Sequence, residues 1–78
     1  MRFFGYARKD SGKGLLEMKE VTVSANPAVL RALADFLRTC AEGIEKDPMR
    51  WGHEHFTPPA GSEGKHTPEF VVCNPRGK

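Results

Sequence analysis

Long apolar runs are missing from this sequence. None approaches the roughly 18 residues a membrane-spanning helix needs, so it offers no candidate for such a span. Cysteine is scarce. Cys40 and Cys73 stand far apart with no CxxC spacing, which argues against a disulfide scaffold and against a zinc knuckle. Charge of one sign is not concentrated either. Twelve Lys and Arg face 10 Asp and Glu, and the net +2 arises in the first 25 residues, where Arg2, Arg8, Lys9, Lys13 and Lys19 outnumber Asp10, Glu17 and Glu20. Phosphate-driven binding needs a dense basic face, and so slight a surplus disfavours nucleic acid as a partner. There is no internal repeat, no Gly-rich phosphate loop and no Ser or Cys visibly partnered with a base. The usual signatures of nucleotide binding and nucleophilic catalysis are therefore absent.

What is present fits one small soluble domain. The chain has 78 residues, 38% hydrophobic and 28% charged, in the range where a single core leaves only a few kcal/mol of net stability. One α+β domain is expected over residues 1–75, with 76–78 as a loose end. Too few apolar residues precede Arg8, Lys9 and Asp10 for a signal-peptide core. The expectation is a chain that begins at Met1 and stays in the cytoplasm, with both cysteines as thiols.

The pattern along the chain changes period twice. Residues 2–8, RFFGYAR, are aromatic-rich, KDSGKG reads as a turn, and residues 15–25, LLEMKEVTVSA, carry β-branched side chains, together a β-hairpin. Leu16 and Met18 are apolar at even positions and Val21 and Val23 at odd ones. A strand that keeps both pairs on one face must slip by one residue near Lys19 or Glu20, which a β-bulge accomplishes. Asn26-Pro27 then opens a helix, with a capping side chain followed by a proline where no donor is needed. Leu30, Leu33, Leu37, Cys40 and Ile44 draw an apolar stripe, widened by Val29, Phe36 and Ala41, and Asp47-Pro48 ends the helix. Residues 50–57 read as a third strand, PPAGSEGKH as a loop, and residues 69–74, EFVVCN, as a fourth strand. The expected fold is ββαββ: a four-stranded mixed sheet, strands one and four in the middle, with the helix on one face and the other face open.

WGHEHF, residues 51–56, is the stretch richest in chemistry. In a strand, Trp51, His53 and His55 would share one face while Glu54 and Phe56 point to the other, Phe56 toward the core. Two imidazoles at i and i+2 could share a metal ion, but zinc needs three or four ligands, and the others would have to come from His66, Cys73 or a carboxylate. Glu54 faces away from the imidazoles, which weakens an acid–base reading, so neither catalysis nor a cofactor is expected. An aromatic sheet face could also stack single-stranded RNA, although the chain lacks the sequence signature of that use. The favoured reading is protein recognition through Trp51, His53, His55 and Tyr6, weighed against an aromatic–histidine row that merely completes the sheet. A homodimer is a further expectation, because so small a domain gains by burying its open face.

With these elements in order, the chain resembles the immunity protein 32 family, small bacterial proteins grouped with polymorphic-toxin immunity proteins. The resemblance is carried by FGY at residues 4–6, LLEMKEV at 15–21, NPAVLRALADFL at 26–37, WGHEH at 51–55 and FVVCNP at 70–75. It implies an α+β protein that protects its producing cell by binding a secreted toxin domain, without catalysis or an obligatory cofactor. The loop with Pro58, Pro59, Gly61 and Gly64 stands outside the shared pattern.

Overall fold

A computed structural model describes residues 1–10, 16–61 and 68–76. The elements follow the order β1 (Arg2–Asp10), β2 (Leu16–Ser24), α1 (Pro27–Lys46), β3 (His53–His55) and β4 (Val71–Cys73). The turn expected in KDSGKG, most of the long loop and the last two residues lie outside the described residues.

The helix forms where its caps dictate. Asn26 Oδ1 accepts from the Val29 N–H at 2.9 Å, and Pro27 occupies the first turn. At the other end the Asp47 N–H donates to Gly43 O at 3.1 Å, and Pro48 prevents continuation. The buried face runs through Val29, Leu33 and Cys40, with Phe36 packed against the core beside them. Leu30 and Leu37 were expected on that stripe but are 43% exposed each. At about 100° per residue they sit roughly 80 to 100° around the helix from Val29, so the buried face centres on Val29, Leu33, Phe36 and Cys40, and Ala41, expected to widen the stripe, is exposed.

β1 and β2 form a long antiparallel hairpin whose register slips twice. Tyr6 lies opposite Glu20 but Ala7 lies opposite Met18, so Lys19 is the extra residue of a bulge, at the position where the apolar phase of β2 required one. A second slip between Ala7 and Lys9 leaves Arg8 extra on β1. The bulge at Lys19 keeps Leu16, Met18, Val21 and Val23 on a single face, the one Phe3 shares. A Cβ on Gly5 would meet Met18 Cε at 2.5 Å and the Glu20 carbonyl closer still, so the thioether crosses β1 where only glycine leaves room.

The four strands do not form the expected mixed sheet. β1 pairs only with β2, and β3 only with β4, giving two separate two-stranded antiparallel sheets. The cause is local. β3 and β4 are three residues each, and prolines, which lack the N–H a ladder needs, follow β3 at Pro58 and Pro59 and bracket β4 at Pro68 and Pro75. What joins the sheets is aromatic packing. Phe3 stacks on Phe70 with ring centroids 5.1 Å apart, and Phe70 meets Phe36 at 6.4 Å and Phe56 at 6.5 Å, edge to face. Phe36 and Phe56 are 5.3 Å apart. The core is thus Val29, Leu33 and Phe56, ringed by phenylalanines from the hairpin, the helix and the approach to β4. Strands one and four, expected side by side, are not paired, and Phe3 of β1 stacks instead on Phe70, which precedes β4.

Candidate functional site

The second sheet is small enough for its geometry to be followed residue by residue. His53 pairs with Cys73, Glu54 with Val72 and His55 with Val71. One further backbone bond extends the ladder at each end, Phe56 N–H to Phe70 O and Asn74 N–H to Gly52 O, both at 2.8 Å. Alternation then sorts the side chains. Glu54, Phe56 and Val72 lie on the helix side, with Phe56 buried. His53, His55, Val71 and Cys73 lie on the opposite side, and both histidines are exposed.

The two imidazoles touch. Their centroids are 5.4 Å apart with the ring planes at 70°, an edge-to-face arrangement. His55 Nδ1 lies 2.9 Å from Glu69 Oε1, so a carboxylate just ahead of β4 orients the second ring. The pair is solvated, the side chains being 55% and 81% exposed, which limits its contribution to stability to about 0 to 1 kcal/mol. The spacing of the histidines could be read in the sequence, but the partnership with Glu69 could not, because it depends on the β3–β4 register.

Trp51 is not on this face. The carbonyl of Asp47 accepts from both Arg50 N–H, at 3.2 Å, and Trp51 N–H, at 3.0 Å. That turn holds Trp51 out of the strand, so the alternation starting at His53 does not reach back to it. The indole lies instead on the helix. A Cβ built at Gly43 would fall 2.5 Å from the Trp51 Nε1 and 2.7 Å from its Cδ1. The expected row of Trp51, His53 and His55 is therefore two imidazoles on the open face and an indole against the last turns of α1. Tyr6 is 69% exposed and lies on the hairpin, on the face opposite Phe3.

Asn74 holds the site's backbone, a role the sequence does not signal, since there it reads as the last residue of the fourth strand. It is buried, and its Nδ2 donates to Pro48 O and to Trp51 O, each at 2.8 Å. Its Oδ1 accepts from Arg76 N–H at 3.1 Å. One side chain thereby ties the turn after the helix to the end of β4, fixing where β3 starts.

Among the described residues no group of three His, Cys, Asp or Glu side chains could hold a metal ion, and His66 lies outside them. The two thiols differ. Cys40 is buried in α1, and burial pushes its thiol above the ordinary range, with the Glu54 carboxylate adding to the effect. Cys73 is exposed beside His53. No helix among the described residues is long and apolar enough to cross a membrane.

Neither a curated protein nor a solved structure matches the chain. A family model does, that of immunity protein 32, over residues 20–75. The match takes in the second half of β2, the whole of α1 and both short strands, and it leaves FGY and most of LLEMKEV outside. Spanning well over half of the sequence and every residue of the β3–β4 site, it establishes that the chain belongs to the immunity protein 32 family.

Proposed function

We propose that this protein acts without catalysis or cofactor, neutralising a toxin domain in the cytoplasm by direct contact through the outer face of the β3–β4 sheet. The observation that carries the reading is the pairing of His53 and His55 on an exposed face inside the family-matched region. Neither ring is used in the core, and the core residue of this strand segment is Phe56. Exposed imidazoles supply donors and acceptors that adapt to a partner, and Glu69 and Cys73 extend the same face with a charge and a small apolar group. Tyr6 is a further contact residue, an amphipathic ring presented by the hairpin. Trp51, whose indole lies against Gly43, stands apart from this face.

The test is co-expression with a candidate cognate toxin domain, scored by survival and by co-purification. The native chain should protect, and a variant carrying His53→Ala and His55→Ala should keep its fold yet lose at least about tenfold in affinity, the loss of two good contacts. Full protection by that variant would move the contact elsewhere. Failure of the native chain to bind would remove the reading.

A further inference from the structure

The hairpin carries an apolar face that is exposed among the described residues. The bulge at Lys19 aligns Leu16, Met18, Val21 and Val23 into one ridge along β2, exposed by 52%, 38%, 56% and 36%. Only the end near Phe3 is packed, where Phe3 stacks on Phe70 and Met1 and Ala25 join the core.

The whole chain is correspondingly open. A compact monomer of 8.7 kDa is expected to expose about 4,700 Å², whereas this one exposes 6413 Å². Its radius of gyration is 14.0 Å, against about 11.5 Å for a compact domain of this length. It is also flat, 34 × 32 × 18 Å. The surplus belongs to the whole chain, and within it the ridge holds four of the ten large hydrophobic side chains exposed among the described residues. The fully buried apolar core, meanwhile, consists of Val29, Leu33, Cys40 and Phe56 among the described residues.

We propose that the ridge is the interface of a homodimer, in which the hairpins of two copies pack ridge to ridge about a two-fold axis near Met18 and Val21. A cover that supplies missing core must be present whenever the chain is, and a second copy satisfies that without any other protein. A two-fold interface requires a patch complementary to itself, and an uncharged aliphatic ridge is one. Its flanks carry both signs, with Arg8 and Glu17 paired at 3.3 Å, and at net +2 two copies repel each other little. The histidine face lies on the other sheet, so the dimer does not depend on the toxin-binding reading.

Sedimentation equilibrium of the native chain from about 1 to 100 µM tests the proposal. The expected mass is twice 8.7 kDa. Val21→Arg should weaken association at least about 100-fold, since it buries unpaired charge at the axis, while Thr22→Arg on the opposite face should leave the dimer intact. A native monomer throughout that range overturns the proposal, as does a dimer that survives Val21→Arg or is lost equally with Thr22→Arg. Should Val21→Arg lose its helical circular dichroism, Val21→Cys in a Cys73→Ser background replaces it. Mild oxidation should then give a disulfide-linked dimer, and none forming overturns the ridge-to-ridge arrangement.

Discussion

The indole of Trp51 occupies the space that a side chain at Gly43 would need, with Nε1 2.5 Å from the position of a Cβ there. A glycine in the last turns of a helix ordinarily costs about 1 kcal/mol relative to alanine. Here it is the condition for seating the ring. Gly43→Ala therefore sets a propensity gain of about 1 kcal/mol against overpacking of about 1 to 3 kcal/mol, and a net loss of up to about 2 kcal/mol is expected. Urea unfolding reads this as a lower midpoint at unchanged slope. A raised midpoint would mean that the indole swings aside without cost.

Asn74 makes a sharper demand, because its amide donates twice and accepts once from a buried position. Asn74→Asp keeps the shape but turns a carboxylate toward the carbonyls of Pro48 and Trp51. Losing both donors and burying charge among acceptors should cost about 3 to 5 kcal/mol. That is most of the stability of a domain this size. Thermal unfolding should show loss of a cooperative transition near room temperature, and a variant with native-like melting would show that the clamp is dispensable.

The two cysteines should separate by reactivity. Cys73 is exposed and should titrate rapidly with a thiol reagent near neutral pH, while Cys40 should react only as the protein opens. Because folding raises the Cys40 thiol, the sign of its contribution is fixed. The stability it supports is full below the ordinary thiol range and is lost as pH rises through that range, where the unfolded chain ionises first. Cys40→Ala should flatten this alkaline decline, as a series of unfolding midpoints above pH 8 would reveal.

Glu69→Gln should leave stability within about 0.5 kcal/mol of native, since the contact with His55 is solvent-exposed on both sides. Under the function proposed above, its effect falls on recognition. Losing the carboxylate that orients the ring should weaken toxin binding while the melting curve stays in place, and a parallel loss of both would assign the pair a structural role.

The helix could be read from the sequence because its signals are local: a capping asparagine, a proline after it and a 3.6-residue period up to Asp47-Pro48. The bulge at Lys19 was legible for the same reason, as two pairs of apolar residues in one strand were out of phase. The direction of Trp51 was not. Alternation can be projected backward only while the strand lasts, and the doubly accepting Asp47 carbonyl ends it at Gly52. The split into two sheets was equally hidden, because whether β1 bonds to β4 or merely stacks on it through Phe3 and Phe70 is a long-range choice. Asn74 lay beyond reach too, since its partners are 23 and 26 positions away along the chain.

The placement of Trp51 has an optical consequence. The chain has one tryptophan, so all indole emission comes from a ring resting on α1 and not from the histidine face. Fluorescence should thus follow detachment of the helix directly and stay nearly silent when a ligand settles on the imidazoles. The molecule carries its own separation of unfolding from binding, with no dye attached.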